Sequence, residues 1–280
     1  MTGGTDAGGS DSLTLQGIDS FGDLIFEMRV ATAAIGKLID TGNGNPTVNF
    51  NILVDRAVEK ITFDFAKGED KTYNTTWSNI GGSANDLIIP NPNSRLEYGG
   101  LGDDLIIGSS RQEMLIGGGG NDILRGNGGP DQLLGNGGND TLFVAFGDGD
   151  KAYGGAGNDL FVITESVGAL AKSVIFDFKL ADDKIQFKGG QALNVTVTTA
   201  VGSTLTATKG SLVNTSPSKV YDVQIDHRGY VEFKNQSPTG EAHEGIADQS
   251  GGGLQILGLV GISTQQDLDT LMARFELWPA

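Results

Sequence analysis

GGSANDLII (81–89), GGLGDDLII (99–107), GGGGNDILR (117–125), GNGGPDQLL (126–134), GNGGNDTLF (135–143) and GGAGNDLFV (154–162) repeat one nine-residue phrase. Each is a glycine-rich turn that ends in an acid and runs into a short, mostly apolar segment. Counted in nines from Gly81, the register holds through Phe143, slips by one residue in VAFGDGDKAY (144–153) and closes at Val162. A single turn and strand cannot bury an apolar face. Two turns and two short strands make one flattened coil, and every second phrase then stacks on its predecessor at a strand spacing of ~4.8 Å.

The acids report the stacking. Asp86, Asp104, Asp122 and Asp140 fall eighteen residues apart, and Asp159 follows after nineteen because of the single insertion. These five carboxylates are expected along one edge of the stack. On the opposite edge the equivalent positions are Arg95, Glu113, Asp131 and Asp150, so that edge becomes regular only late. A column of carboxylates ~5 Å apart repels itself, since unit charges at 4 Å cost about 1 kcal/mol even in bulk water. Lysine and arginine do not neutralise it: residues 81–162 hold eleven Asp and Glu against four Lys and Arg. The natural partner is a hard cation. Glycine-rich turns expose carbonyl oxygens that complete the roughly 6–8 oxygen ligands Ca²⁺ takes, whereas Mg²⁺ demands stricter octahedral geometry.

The phrase G-G-x-G-x-D-x-U-x, with U a large apolar residue, resembles the nonapeptide of the RTX, or haemolysin-type calcium-binding, family, whose fold is a parallel β-roll. The resemblance covers residues 81–162. It implies one Ca²⁺ between successive turns on the same edge, held by the carboxylates and turn carbonyls of both. Carried over by position, it implies four sites along Asp86, Asp104, Asp122, Asp140 and Asp159, and one between Asp131 and Asp150, about four to five ions in all. GGSAND has Ala84 in place of the fourth glycine, and PNPNSR and GSSRQE depart so far that no site is expected between Arg95 and Glu113. The U positions Ile88, Ile106, Leu124, Leu142 and Phe161 are expected to point into the roll. Their outward neighbours in the early coils, Leu87, Ile89, Leu105, Ile107, Met114 and Ile116, are themselves apolar. The N-terminal segment is expected to cover this stripe, with self-association or a cell-surface partner as the alternative.

Composition fits a metal-stapled chain. The 280 residues include 44 glycines and no cysteine, and carry a formal net charge of −16. Nucleic acid and anionic membranes are poor partners on charge grounds. MTGGTDAGGSD (1–11) lacks the basic and apolar regions of a Sec signal, and the most apolar run, 254–262, is far short of the ~20 residues of a transmembrane span. The RTX resemblance implies another route, type I secretion machinery reading a C-terminal signal, and hence an extracellular or cell-surface location. Extracellular calcium modules have Kd values of roughly 10⁻⁴ to 10⁻³ M, so cytosolic calcium leaves such sites empty. At ~100 Kd outside the cell each independent site adds about 2.7 kcal/mol, and four add about 11 kcal/mol, comparable to a whole domain's stability.

The fold expected is all-β dominated, in three parts: an α+β cap over 1–80, the calcium-binding roll over 81–162, and a β-rich region over 163–280 that carries the secretion signal. In the cap, Phe21, Leu24, Ile25, Met28, Ile35 and Leu38 follow helical spacing, while 48–54 and 61–65 alternate as strands. After the roll, SVIFDFKLADDKIQF (173–187) resembles the segment that follows RTX repeats. Hairpins are expected around 201–203 and 227–229, a loop over 236–253, a strand over 254–262, and a helix capped by Ser263 with Gln266 in capping-box position.

No catalytic constellation emerges. His227 and His243 are the only histidines, neither in an HExxH, and there is no GxSxG. The chain is therefore read as a non-enzymatic, secreted calcium-binding protein that folds on meeting extracellular calcium and acts as an adhesive or self-assembling element at the cell surface or in the matrix. The alternatives are an effector or pore-associated protein acting on a target membrane, and an accessory module of an extracellular enzyme.

Overall fold

The computed structural model describes residues 80–89, 94–165, 171–187, 192–210, 220–236 and 253–277, with backbone strands at 11–18, 24–31, 33–40, 49–54, 58–65, 71–76 and 242–243. Two sheets face each other, and within the repeats the chain crosses from one to the other once per phrase. The front sheet runs Asp86–Ile88, Leu105–Ile107, Ile123–Arg125, Thr141–Phe146, Leu160–Glu165, Lys184–Phe187 and Phe275–Leu277, each parallel to the next. The rear sheet runs Leu96–Leu101, Met114–Gly119, Gln132–Gly137, Lys151–Ala156, Lys172–Ile175 and Gly253–Ile256, again parallel. This is the parallel β-roll that the nine-residue period dictates. Leu105 pairs with Ile123 and Ile123 with Thr141, so the ladder register is the sequence repeat itself.

The core lies between the sheets. Ile88, Ile106, Leu124, Leu142 and Phe161 line it from the front, with Leu115, Leu133, Ala152 and Ile175 from the rear, all fully buried. Each large side chain so buried stabilises the fold by roughly 1.5–3 kcal/mol. Glu97 interrupts the rear column: it pairs in register with Leu115 and is fully buried.

The outward apolar residues divide between the two sheets. Leu87, Ile89, Leu105 and Ile107 on the front are buried, whereas Met114 and Ile116 on the rear are half-buried. The cover assigned to the N-terminal segment falls on side chains outside the described residues.

The cap is built differently from the expectation. Leu24–Ala31, Ala33–Asp40 and Asn49–Val54 form a three-stranded antiparallel sheet where a helix was expected over 21–38. The segment carries a second period that the helical reading passed over. Leu24, Phe26, Met28 and Val30 form an alternating apolar set, with the charged Glu27 and Arg29 between them. The two strands expected in this region are present as Asn49–Val54 and Val58–Phe65, the latter continuing the front sheet through Lys71–Thr76.

Past the repeats the rear sheet gains two antiparallel hairpins, Ala192–Thr198 with Thr204–Gly210 and Val220–Ile225 with Tyr230–Gln236, at the expected turns. The strand expected over 254–262 ends at Ile256 and passes into a 3-10 turn, Leu257–Leu259. Helix Gln265–Arg274 is capped one residue later than expected. Thr264 accepts from the Asp267 N–H, and the Asp267 carboxylate accepts from the Ser263 and Thr264 N–H groups. An acid three residues past Thr264 makes a better box than Gln266 past Ser263. The helix buries Leu268 and Leu271 and returns the chain to the front sheet through Phe275–Leu277.

Candidate metal centre

The five carboxylates expected on one edge do form a column. The Asp86 N–H donates to Asp104 Oδ1 at 2.8 Å, Asp104 to Asp122 at 2.8 Å, Asp122 to Asp140 at 2.8 Å and Asp140 to Asp159 at 3.0 Å. On the other edge Glu113 N–H donates to Asp131 Oδ1 at 2.8 Å and Asp131 N–H to Asp150 Oδ1 at 3.0 Å. Asp104, Asp122, Asp140 and Asp159, and Asp131 and Asp150 on the other edge, thus each spend one oxygen on fastening their coil to the coil before.

The second oxygen separates these residues into two groups. Oδ2 of Asp104, Asp122, Asp140 and Asp159, and of Asp131 on the other edge, is buried without a hydrogen-bond partner. By contrast, Asp86 Oδ2 accepts from the Gly82 N–H at 2.7 Å and Asp150 Oδ2 from the Ala145 N–H at 2.9 Å. Glu113 is closed by Ser109, whose N–H donates at 2.5 Å and whose hydroxyl also bonds it. The Arg95 side chain is exposed and joins no column. A buried carboxylate oxygen left unpaired is costly, on the order of 1–3 kcal/mol or more for a charged group.

Glycine makes room at these oxygens. A β-carbon on Gly99 would collide with Asp104 Oδ2 and lie 2.5 Å from the carbonyl oxygen of Gly117; on Gly135 it would meet Asp140 Oδ2 and the Gly154 carbonyl oxygen, again at 2.5 Å. Carboxylate and carbonyl oxygens of successive coils therefore converge where a side chain would otherwise stand. The next turn position requires positive φ, supplied by Gly118 (121°) and Gly155 (100°) and tolerated by Asn136 (75°).

Burial is the main cause of a raised pKa at Asp104, Asp122, Asp140 and Asp159 and at Asp131 and Asp150, and neighbouring carboxylates add to it. Asp104 is pushed up to about 8, with Asp122, Asp86 and Asp103 adding to burial, and Asp140 to about 7, with Asp122 and Asp159 adding. Asp122 reaches about 6; on the other edge Asp131 reaches about 9 and Asp150 about 6. Asp159 is raised too. Among the described residues no group of three or more His, Cys, Asp and Glu side chains converges on a point. A cation here would be held by carboxylates of successive coils together with turn carbonyls. That all-oxygen donor set, with no thiol or imidazole, fits Ca²⁺ and gives soft or borderline metals nothing to prefer.

Residues 116–150 match the RTX calcium-binding nonapeptide repeat, in four copies. The chain carries RTX repeats. Nonapeptides of this class bind calcium, and the matched segment contains Asp122, Asp131, Asp140 and Asp150. The RTX register extends beyond that segment in both directions, to Asp104 and Asp86 on one side and Asp159 on the other. Among curated proteins, none matches the chain.

Several participants escaped the sequence reading. Asp183 adds a sixth member to the long column, its Oδ1 accepting from the Asp159 N–H at 3.0 Å. The signal was present in ADDKIQF (181–187), but a spacing of twenty-four rather than eighteen hides it from a period count. Ser173 ends the short column, its hydroxyl accepting from the Gly149 and Asp150 N–H groups. A second, exposed ladder runs beside the first. Asn85, Asp103, Asn121 and Asn139 each accept, through a side-chain oxygen, the N–H of the residue one coil later, at 2.7–2.8 Å. The recurring Asn before the Asp was its signal.

Proposed function

We propose that this is a secreted, non-enzymatic RTX protein whose roll folds on calcium outside the cell. The observation that carries this reading is the set of orphaned Oδ2 atoms on Asp104, Asp122, Asp140, Asp159 and Asp131. Four sites lie along Asp86, Asp104, Asp122, Asp140 and Asp159, and one between Asp131 and Asp150. Bound calcium supplies the positive charge these columns lack. The residues do the rest: one carboxylate oxygen locks the coils in register, glycines keep side chains out, and the buried columns resist closure until they are neutralised. A chain of this kind stays open for export through type I machinery and closes on arrival.

At the cell surface or in the matrix the folded roll serves as an adhesive or assembling element. Ile80, Leu96, Tyr98 and Leu101, exposed at the N-terminal edge of the rear sheet, support that role. The membrane-acting alternative rested on an amphipathic helix over 21–38, where strands 24–31 and 33–40 stand instead. No helix among the described residues is long and apolar enough to cross a membrane. Circular dichroism during calcium addition tests the folding claim: β-structure that rises with calcium is expected, and full β-structure in chelator at neutral pH would contradict it. Size-exclusion chromatography with and without calcium tests assembly, with a shift to larger species expected.

A further inference from the structure

The long column takes one step past the last nonapeptide, and there its chemistry changes. FKLADDKIQ (178–186) lies in register on GGAGNDLFV (154–162): Phe161 pairs with Ile185, and the Asp159 N–H donates to Asp183 Oδ1. The two leading glycines of the turn are replaced by Phe178 and Lys179. Phe178 is buried and packs on Phe161, ring centres 6.1 Å apart. The backbone N–H of Lys179 donates to Asp183 Oδ2 at 2.7 Å, as that of Gly82 does to Asp86 at the opposite end of the column.

The Lys179 side chain turns back over the preceding coil. Its ammonium donates to the carbonyl oxygen of Gly155, the second glycine of the last full turn. Its charge favours the ionised form of both Asp159 and Asp183, against the opposing charge of Asp177. Asp177 closes the same turn from the other side, one oxygen accepting from Gly154 N–H and the other from Gly155 N–H, both at 2.9 Å. In the coils between Asp86 and Asp159 no lysine occupies this position; it is Gly82, Gly100, Gly118, Asn136 and Gly155.

We infer that Lys179 is a tethered cation that closes the Asp159–Asp183 rung in place of a metal ion, so that the calcium column ends at Asp159. An ammonium already seated on a turn carbonyl occupies an oxygen a divalent ion would need and repels that ion. The terminal rung therefore carries a cation from within the chain at any calcium concentration, and the roll has one end whose closure does not wait for metal. This rests on the reading of the other rungs as calcium sites.

Equilibrium dialysis of the full chain against millimolar calcium tests it, with wild type, Lys179→Met and Lys179→Arg compared. Lys179 is exposed, so neither substitution disturbs the core. Lys179→Met is expected to bind one more calcium per chain than wild type, and Lys179→Arg the same number as wild type. The extra ion should disappear when Asp183→Asn is added to Lys179→Met. An unchanged count in Lys179→Met overturns the inference, as does an extra ion in Lys179→Arg or loss of the fold in Lys179→Met at saturating calcium. A wild type that binds no calcium would instead defeat the reading of the other rungs, so the two failures are distinguishable.

Discussion

The coils of 81–162 and those that follow, at 171–187 and 253–277, share both sheets and one apolar core, yet they settle their charges by opposite means. In the first region eleven acids face four basic residues, and seven buried carboxylate oxygens, one on each of five aspartates and both of Glu97, have no hydrogen-bond partner. In the second, basic side chains stand at the ends of strands and turns. Lys184 pairs with Glu276 at 2.6 Å, Arg274 reaches the Ala181 carbonyl, and Lys179 sits on the Gly155 carbonyl. Such exposed contacts contribute little individually. Most of the stability there comes from apolar packing, with Phe187 edge-on to Phe275 at 5.2 Å and Leu268 and Leu271 buried beneath the helix. A parallel roll as such needs no metal; on the proposed reading, a roll whose turns are laced with buried carboxylates does.

The sharpest way to break this contrast is to remove calcium. Chelation at pH 8 should strip amide protection from 86–162 while protection in 192–210 and 253–277 persists longer, as read by hydrogen exchange; uniform loss across both regions would erase the distinction. Acid should partly reverse chelation. The ladder carboxylates have folded-state pKa values raised above the ordinary ~3.9 of Asp, from about 6 for Asp122 to about 8 for Asp104 and about 9 for Asp131. A raised carboxylate pKa means that the folded chain holds its protons more tightly than the unfolded one. Its stabilising effect is fully present below about pH 4 and is lost as pH rises through about 6 to 9. In chelator, β-structure should therefore be greatest near pH 4 and fall toward pH 9, whereas with calcium affinity should rise with pH as protons stop competing.

Single substitutions follow in descending size. Asp122→Asn touches two rungs and should cost about 5 kcal/mol at saturating calcium, the sum of two sites at ~2.7 kcal/mol each; a calcium titration of folding reads it. Gly117→Ala places a β-carbon against the Asp122 carboxylate and should cost on the order of 2–4 kcal/mol. Gly202→Ala, in the hairpin turn of the C-terminal region, meets nothing within 4 Å and strains only its φ of 81°, so about 1 kcal/mol is expected. If thermal unfolding ranks Gly202→Ala above Gly117→Ala, glycine is not guarding the metal rungs.

The roll and its long acid column were legible because period and chemistry coincide: Asp at every eighteenth residue both fastens the coils and faces the glycine cradle. Legibility failed where one of the two was missing. Asp183 keeps the chemistry but breaks the spacing, and Glu97 keeps the spacing of an inward residue but breaks the apolar chemistry. In residues 24–40 two periods overlap, and the pairing of three strands, which no local pattern encodes, decided between them. Nor does spacing say which carboxylate oxygens find partners. Asp131 and Asp150 read alike in sequence, but the loop between them, lengthened by one residue, hands Asp150 the Ala145 N–H, whereas Asp131 Oδ2 stays bare like those of the long column.

Counting calcium per chain by atomic emission, after dialysis of the folded protein to millimolar calcium and with circular dichroism recorded on the same samples before and after chelation at pH 8, tests the orphaned carboxylates most directly. Four to five ions per chain are expected, lost together with the β-signal of the roll. A fully folded chain that holds no calcium, or that keeps its roll once the calcium is gone, would contradict it.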